Sequence, residues 1–426
     1  MGLTENVRAS LRRDGLRGTA GTIARRGVER LGAARAWDEP RLPLRDEHVH
    51  VGPPPPPIPG RQKESLEVGW VCTPPGAGSG GHTTLFRMVR AMAERGHRCT
   101  LVLYDATDDD VARREETIRR WWPGLPAGVA SVADGLDRYD AVVASSWQTA
   151  HVVASLHGGA VPFYFVQDYE AYFYPRGYLY DLAEATYTMG LQTIALGGMV
   201  AAAMRREAGA EPDLVVPFGC DVETYRLLPG RQETRRGVVY YAKRNVDRRG
   251  YLLARRTLEL FHERCPDEPI HVVGDRIPGW RVPAVQHGSL PPQELNRLYN
   301  EVVAGLAMSF TNISLVAAEM LAAGSVTVLN DDPGPRLDLE HPEATWVPGR
   351  PEALADALAA AVAVSDPADR ADRAARIAAR RPRGWDVAQR MTAEMVEDRV
   401  RTGTGRYPSA AERSVRAIRQ DAPAAP

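Results

Sequence analysis

Short apolar runs alternate with amphipathic stretches along the first half of the chain. Five runs have the length and the β-branched or aromatic content of buried strands. These runs are 66–73, 99–105, 139–146, 161–168 and 191–197, with helical spacing at 83–96, 149–157 and 199–208. Regular alternation of strand and helix predicts a parallel sheet covered on both faces.

The same pattern restarts after Asp221 and predicts a second domain of the same kind. Strand-like runs recur at 237–243, 270–275, 285–288, 302–309 and 325–330, with a helix over 250–264. We therefore expect two doubly wound α/β domains, 65–222 and 223–385. A last helix, 386–404, is expected to cross back to the first domain, and a tail over 405–426 rich in small residues is expected to be disordered.

Residues 1–64 form a basic extension with two possible interpretations. Arginines dominate its first 35 residues, and its apolar residues are loosely helical in spacing. Such a helix is able to lie on an anionic membrane surface; the alternative is an appendage that packs on the body or is partly disordered. Pro53 to Pro57 read as a stiff linker, so the folded body is expected to start near Ser65.

Composition indicates an ordinary globular protein of two domains. The chain has 426 residues, 44% hydrophobic and 25% charged, and a net charge of −1, which argues against nucleic-acid binding by bulk electrostatics. Four scattered cysteines predict neither a disulfide framework nor a zinc site. No apolar run reaches the roughly 18 residues of a membrane span, and no secretory signal pattern is visible, so a cytoplasmic location is expected.

A glycine-rich loop at 74–84 joins the first strand to the first helix. Gly76, Gly78, Gly80 and Gly81 allow a ligand to approach the backbone closely, at the strand end where open α/β sheets bind ligands. The spacing matches neither a dinucleotide fingerprint nor a P-loop. A turn that only shapes the corner is the alternative.

The equivalent loop of the second domain, 240–251, is cationic. It carries Lys243, Arg244, Arg248 and Arg249 just past a strand. Clustered cations suit a diphosphate, and they would stabilise the charge that develops on a departing pyrophosphate. A solvated basic loop is the alternative.

The segment 309–324 begins with turn-prone residues and continues as an apolar helix. Ser314 is a candidate N-cap for a helix from Leu315, whose free N–H groups would bind phosphate. Glu319 lies a turn further in, where a carboxylate can accept two hydrogen bonds from a sugar diol. Together these features describe a nucleotide-sugar site, although Glu319 paired with an arginine is the alternative.

Polar and aromatic side chains mix at 165–175. Gln167, Asp168 and Glu170 follow a buried strand among aromatic residues that include Tyr172. Hydrogen bonds to hydroxyls and rings over C–H faces make a sugar pocket. An aromatic corner packed between domains is an equally good interpretation.

Taken in order, these loops make the chain resemble the family 4 glycosyltransferases of GT-B fold, and within them the WsaF-like rhamnosyltransferases. The resemblance covers roughly 66–400. It rests on the glycine loop and on ERGH (94–97), SSWQTA (145–150), FVQDYE (165–170), PFGCD (217–221), YYAKRNVDRRG (240–250) and SLVAAEMLAAG (314–324).

The resemblance implies a role for each matching position. Lys243 and Arg249 correspond to the pair that contacts the diphosphate, with Arg244 and Arg248 beside them, and Glu319 corresponds to the glutamate that binds the nucleotide ribose. The remaining donor contacts are implied at Gly80, Gly81, Thr311, Asn312, Ser314, Leu315 and Val316. Acceptor contacts are implied at Trp147, Gln167, Asp168, Glu170 and Tyr172, with Asp168 orienting the acceptor.

Two positions depart from the family pattern. The first glutamate of the family's E-x7-E signature falls on Thr311, and a His-Asp pair reads Gln167-Asp168. A 6-deoxy sugar such as rhamnose, carried on dTDP or UDP, has fewer hydroxyls to satisfy than an ordinary hexose. Thr311 and Asn312 would then contact such a sugar at a position where a carboxylate would be left without a hydrogen-bond partner.

The resemblance also implies a retaining, metal-independent transferase without a cofactor. In the expected front-face displacement, the departing phosphate takes the acceptor's proton, so no protein nucleophile is nominated. The acceptor is expected to be a glycan, a lipid-linked sugar or a small molecule, with membrane contact through the basic extension. A nonenzymatic nucleotide-sugar or glycan-binding component of a biosynthetic complex is the alternative; an NAD-type dehydrogenase is disfavoured by the glycine spacing.

Overall fold

The computed structural model describes residues 42–404 apart from 51, 77, 108–109, 231–233 and 365. The chain divides into two units, 1–47 and 48–426. Of the first unit only 42–47 are described, and they lead into a short 3-10 helix at Asp46–His48. The predicted N-terminal helix and the predicted disordered tail lie outside the described residues.

The N-terminal half of the second unit is a seven-stranded parallel sheet in the order β3-β2-β1-β4-β5-β6-β7. Its strands are β1 (Glu67–Cys72), β2 (Arg98–Leu103), β3 (Gly128–Ser131), β4 (Ala141–Ala144), β5 (Val161–Val166), β6 (Gln192–Leu196) and β7 (Leu214–Val216). Its helices are α1 (Gly80–Glu94), α2 (Val111–Trp121), α3 (Trp147–Leu156), α4 (Tyr178–Ala185) and α5 (Gly198–Glu207).

The C-terminal half is a six-stranded parallel sheet in the order β10-β9-β8-β11-β12-β13. Its strands are β8 (Val238–Ala242), β9 (Ile270–Gly274), β10 (Val285–Gly288), β11 (Ala304–Leu306), β12 (Val326–Asn330) and β13 (Thr345–Val347). Its helices are α6 (Tyr251–Arg264), α7 (Pro292–Glu301), α8 (Leu315–Ala322), α9 (Pro333–Arg336), α10 (Pro351–Val362) and α11 (Pro367–Ala379).

Both sheets reverse their strand order beside a loop that the sequence marks as a ligand site. In the first sheet β1 has β2 on one side and β4 on the other, and in the second β8 lies between β9 and β11. Open α/β sheets bind ligands at such switch points, outside the carboxyl ends of the strands. The glycine-rich loop follows β1 and the cationic loop follows β8, so the topology places both at the expected positions.

The last helix, α12 (Asp386–Thr402), packs on the N-terminal sheet domain. Val396 and Val400 join the core cluster that contains Leu85 and Val89 of α1. Burying this apolar face ties the end of the chain to the start of the fold.

The proline-rich segment is attached to the body, which differs from the expectation that folding starts near Ser65. Ile58 is buried and donates its backbone N–H to the Thr404 hydroxyl at 2.7 Å, and the Arg61 N–H donates to the Val400 carbonyl at 2.8 Å. Prolines lack an N–H, but the residues that follow them still pair with the end of α12.

A charged cluster fixes α12 to α1. The Glu397 carboxylate accepts hydrogen bonds from Arg95 at 2.6 Å and contacts His97 at 2.9 Å. These bonds lower the pKa of Glu397 to about 2. Because the carboxylate is bound in its ionised form, the stabilisation is complete above the ordinary glutamate pKa and is lost as the pH falls towards 2.

We therefore expect Glu397→Gln to lower the free energy of unfolding at neutral pH by roughly 2 kcal/mol. The loss should shrink progressively below pH 4.5, the ordinary pKa of the group. Denaturant titrations between pH 3 and 7 would measure it, with Glu394→Gln on the same helix as the control, since the ion pair of Glu394 is with exposed Arg390. Equal losses in the two variants would contradict the assignment.

Candidate functional site

Loops that follow strands of both sheets meet between the two domains. The Thr311 hydroxyl donates to Asp168 Oδ2 at 2.9 Å, and Asn312 Nδ2 donates to the Gln167 carbonyl at 2.8 Å. The loop after β5 therefore bonds directly to the loop after β11. We call Gln167, Asp168, Thr311 and Asn312 the interdomain bridge.

The glycine turn stands over open space at the start of α1. Ser79 is its N-cap, and Gly80 and Gly81 are its first two helical positions, whose N–H groups precede the first intrahelical bond. A Cβ at Gly80 would meet nothing within 4 Å, and one at Gly81 only Gln167 Oε1 at 3.8 Å. Neither glycine has a positive φ. Packing thus leaves room for a ligand above the turn.

Helix α8 begins at Leu315, as the sequence predicts. Ser314 holds the N-cap position but its side chain makes no capping bond, so the N–H groups of Leu315 and Val316 point out of the helix end. Phosphate oxygens are suitable acceptors for these groups, since the helix dipole also favours negative charge there.

Glu319 is a half-buried carboxylate whose side-chain oxygens bond to no other side chain in the described chain. Burial raises the pKa of Glu319 to about 8; nearby Arg87 opposes the rise and Asp221 adds to it. An unpaired carboxylate that is partly withdrawn from water is suited to a pair of hydroxyl donors.

Arg87 and Asp221 are functional candidates that the sequence analysis did not single out. Arg87 lies on α1 in the N-terminal domain, with Nη2 3.6 Å from the Asp221 carboxylate and its guanidinium 5.5 Å from the Trp385 ring centre. Asp221 is the last residue of the PFGCD segment, and that motif is the sequence feature that pointed to it. The pair places a cation near Glu319 from the opposite domain.

The two cations expected at the diphosphate differ sharply in their surroundings. Lys243 is exposed, with Nζ 5.3 Å from the Tyr241 ring centre, and its ammonium has no carboxylate partner among the described residues. Arg249 instead bonds Ser309 Oγ at 2.5 Å and the Asn312 carbonyl and side-chain oxygens at 3.2 and 2.9 Å. Burial lowers the pKa of Arg249 to about 10.

Arg249 therefore supports the 309–312 loop in this structure, whereas Lys243 is, of these two cations, the one with no carboxylate partner in the described chain. Gly250 explains how the loop turns into α6, because its φ of 62° is left-handed and a Cβ there would lie 3.0 Å from both Met308 and Phe310. The diphosphate contact predicted for Arg249 stays a prediction.

Asp168 is buried at the centre of the bridge. Besides Thr311 it faces Arg248, whose Nε lies 3.5 Å from Oδ2, and Arg248 stacks 3.9 Å from the Phe173 ring centre. Burial raises the pKa of Asp168, while Arg249 and Arg248 oppose the rise. The residues expected at the donor sugar and at the acceptor thus contact one another.

Trp147 and Glu170 are occupied inside the N-terminal domain. Glu170 Oε2 accepts from the Trp147 N–H at 2.6 Å, which caps the start of α3, and Trp147 Nε1 donates to Tyr174. Burial raises the pKa of Glu170 to about 8. The acceptor contacts predicted for these two side chains stay predictions; the structure shows them supporting the loop that carries Asp168.

A second contact between the domains, which the sequence did not reveal, involves Asp338. Its carboxylate accepts from the N–H groups of Gly198 and Met199 at the start of α5, at 2.5 and 3.2 Å. Burial raises the pKa of Asp338 to about 6. Only the tertiary structure brings this aspartate, which follows α9, to a helix start some 140 residues earlier.

Two features bear on metals and membranes. Across the described residues no three His, Cys, Asp or Glu side chains are grouped so as to hold a metal ion. No helix in that part of the chain is long and apolar enough to cross a bilayer.

The interdomain bridge supplies a test by mutation. Thr311→Val should lower the free energy of unfolding by about 1–2 kcal/mol, because Asp168 would keep its burial and lose its 2.9 Å donor. Thr311→Ser retains the hydroxyl and is the matched control. Denaturant titration of the two variants checks this; equal stability would show that the bond contributes nothing.

Comparison with known proteins agrees with this architecture. Residues 236–359 match the WsaF C-terminal domain family. The O-antigen biosynthesis protein RfbC of Myxococcus xanthus is 29% identical over 275 residues, 62% of this chain. The chain spans 22% of the length of that curated relative.

Solved structures show the fold. Anabaena HepE, in complex with UDP and glucose, is similar with a TM-score of 0.58 at 15% identity, covering 79% of this chain and 98% of its own. Sucrose-phosphate synthase from Thermosynechococcus elongatus is similar with a TM-score of 0.57 at 13% identity, and the match covers 78% of this chain and 98% of the synthase chain. The chain has the GT-B fold of the glycosyltransferases, which confirms the fold expected from the sequence.

Proposed function

We propose that this protein is a glycosyltransferase of polysaccharide or O-antigen biosynthesis that binds a nucleotide sugar between its two domains. The observation that carries the proposal is Glu319, a half-buried carboxylate without a hydrogen-bond partner in the described chain, one turn inside a helix whose start offers free N–H groups. The solved relative HepE binds UDP and glucose, and another of its structures holds UDP-glucose.

The proposed donor arrangement uses three features of the cleft. Glu319 accepts hydrogen bonds from the nucleotide ribose, the N–H groups of Leu315 and Val316 meet phosphate oxygens, and Lys243 neutralises the diphosphate. The glycine turn at 80–81 closes over the donor from the other domain. A carboxylate that binds two hydroxyls favours ribose, as in UDP, because the deoxyribose of dTDP would offer only its 3′-hydroxyl.

For the chemistry we propose family 4-like retention of configuration without a metal. The bond between the anomeric carbon and the diphosphate oxygen breaks, and the acceptor oxygen bonds to the same face of that carbon. The acceptor's proton passes to the departing phosphate. Lys243 lowers the barrier because it lies where negative charge grows, and Asp168 orients the acceptor hydroxyl.

The sugar proposed is a 6-deoxyhexose such as rhamnose. Thr311 stands where the related signature has a glutamate, and its hydroxyl bonds to Asp168. A hexose that needs a carboxylate at this position would leave hydroxyls unpaired. We place the reaction in the cytoplasm, with the basic N-terminal extension available for peripheral membrane contact.

A second candidate is a nonenzymatic nucleotide-sugar or glycan-binding component of a biosynthetic complex. The bridge favours it, because Asp168 and Thr311 satisfy each other without substrate. Both candidates predict nucleotide binding, but only the transferase predicts release of nucleotide from its donor when acceptor is present.

Thermal unfolding against a panel of UDP-, GDP- and dTDP-sugars tests the shared claim. A ligand present at about 100 times its Kd should stabilise the protein by about 2.7 kcal/mol and raise the unfolding temperature by several degrees. The best donor is then assayed for nucleotide release. No shift with any nucleotide sugar would reject the transferase and the nucleotide-sugar-binding component, and a shift without turnover would favour the binding component.

A further inference from the structure

The chain passes between the two sheet domains at two places that lie side by side. It leaves the N-terminal sheet domain after β7 and returns to it just before α12. At these crossings the Cys220 N–H donates to the Arg383 carbonyl at 2.8 Å. Two neighbouring crossings act as a single hinge, about which the domains are free to rotate unless other contacts hold them.

Helix α5 of the N-terminal sheet domain begins without a cap of its own. Its N-cap is Gly197, which has no side chain to accept a hydrogen bond, although the first N–H groups of a helix lack an intrahelical partner. The N–H groups of Gly198 and Met199 instead donate to the Asp338 carboxylate at 2.5 and 3.2 Å. Because Asp338 belongs to the other sheet domain, we call this contact the interdomain cap.

Glycine at the start of α5 lets the carboxylate approach. The φ of Gly197 is 92°, and a Cβ there would lie 2.6 Å from Asp338 Oδ2 and 2.7 Å from the Phe218 ring. A residue with a side chain would therefore displace Asp338. Next to it, a Cβ at Gly334 would lie 3.0 Å from Met199 Cγ, so the start of α9 packs closely on α5.

The side chain of Asp338 is bound by the other domain and not by its own. It is half-buried, and the described part of the chain places no lysine, arginine or histidine within ion-pair distance of it. Its charged neighbour is Asp168, which is also acidic. The N–H groups and the positive end of the α5 dipole are thus the groups that stabilise the carboxylate.

The interdomain cap lies beside the interdomain bridge. The bridge joins the loop after β5 to the loop after β11, and the cap joins the helix after β6 to the segment after β12 and α9. Strand β5 pairs with β6, and β11 pairs with β12. Neighbouring strands of both sheets therefore carry the two contacts, and together with the hinge they define one angle between the domains.

We propose that Asp338 is a positioning residue, which caps α5 across the interface and thereby sets the angle between the two sheet domains. The glycine turn and Asp168 lie in one domain, and helix α8 with Glu319 lies in the other. The angle therefore decides whether groups of the N-terminal domain reach a sugar held by the C-terminal domain. This consequence for transfer rests on the proposed function, whereas the effect on the domain angle does not.

Pulsed electron spin resonance on the full-length protein tests the proposal. One label is placed in each sheet domain at an exposed position, with Arg120→Cys and Arg297→Cys, and Cys265→Ser removes the one native cysteine that is not buried. We expect Asp338→Ala to shift or broaden the distance between the labels by more than about 2 Å. Asp338→Asn keeps one acceptor oxygen in nearly the same shape and should give an intermediate result.

The matched control is Asp366→Ala, which removes a helix cap inside one domain. Asp366 accepts from the N–H groups of Ala368 and Asp369 at 2.7 and 3.3 Å at the start of α11. Both alanine variants should unfold at lower denaturant concentration, but Asp366→Ala should leave the distance between the labels unchanged. A stability loss in Asp338→Ala without a change of distance would overturn the proposal, since Asp338 would then be an ordinary cap.

Kinetics of the unlabelled variants test the consequence for transfer. Asp338→Ala should lower turnover about tenfold, the factor that corresponds to about 1.4 kcal/mol, which is within the range for the loss of a helix cap. Its affinity for the free nucleotide of the best donor should change less than about twofold, because Glu319, Lys243 and α8 lie together in the other domain.

Two kinetic results separate this inference from the proposed function. An affinity for nucleotide that falls as much as turnover in Asp338→Ala would contradict a positioning role. Absence of turnover in the wild-type protein would reject the proposed transferase, and the distances between the labels would still decide whether Asp338 holds the domains.

Discussion

Glu319→Ala is expected to weaken nucleotide-sugar binding by roughly 30- to 150-fold, or about 2–3 kcal/mol, while the protein stays folded. The carboxylate has no protein partner to lose in the described chain, so its removal leaves no group unpaired in the free protein. It leaves two ribose hydroxyls unpaired in the complex. Calorimetric titration with the best donor of the panel measures the effect.

The ionisation of Glu319 should also make the affinity for the nucleotide sugar depend on pH. The pKa of Glu319 is raised to about 8 by burial, and ribose hydroxyls donate to the ionised form. Binding must therefore expel a proton below pH 8, so the affinity should rise about tenfold per pH unit from 6 towards 8 and level off above it. The diphosphate of a nucleotide sugar does not titrate in this range.

The matched variant for this profile is Glu319→Gln, which cannot ionise and should bind weakly with a flat pH profile. Arg87 and Asp221 are the charged neighbours that face Glu319, and both remain in that variant. Glu294→Ala, an exposed glutamate on α7, controls for loss of a negative charge. Unchanged affinity in Glu319→Ala would contradict the assignment of this residue.

Lys243→Gln is expected to lower turnover by roughly 10²- to 10³-fold, the range seen when one group that stabilises developing charge is removed. The free energy of unfolding should hardly change, because the side chain is exposed and its ammonium has no carboxylate partner within the described part of the chain. Steady-state release of nucleotide from the donor, with acceptor present, measures the effect.

Two further variants separate charge from shape. Lys243→Arg keeps the charge and should recover part of the activity, whereas Arg297→Gln removes a distant exposed cation and should be silent. Arg249→Ala is a less specific test of diphosphate binding. The substitution would also remove the hydrogen bonds of Arg249 to Ser309 and Asn312, which support the 309–312 loop. Wild-type turnover in Lys243→Gln would contradict the proposal that Lys243 stabilises the departing diphosphate.

Local patterns predicted the architecture well. The long apolar strands and the helix at Leu315 appear where periodicity places them, because buried parallel strands need continuous apolar runs. Strands Gly128–Ser131, Leu214–Val216 and Thr345–Val347 were missed. Each has only three or four residues, too few for a pattern to stand out.

The internal contacts of the site were beyond sequence reasoning. Thr311 and Asp168 are 143 residues apart, and nothing in either segment indicates that one hydroxyl satisfies the other carboxylate. A run of cations likewise does not show which member is free, although the structure separates exposed Lys243 from internally bonded Arg249. Pairing across domains is decided by tertiary packing, which local composition does not encode.

The structure of a complex with the best-binding nucleotide sugar tests the central claim most directly. We predict that the nucleotide lies at the start of α8, with ribose hydroxyls about 2.6–3.0 Å from the Glu319 carboxylate and a diphosphate oxygen about 2.7–3.0 Å from Lys243 Nζ. A nucleotide bound instead among Leu252, Arg244 and Phe310, or away from the cleft, would contradict it.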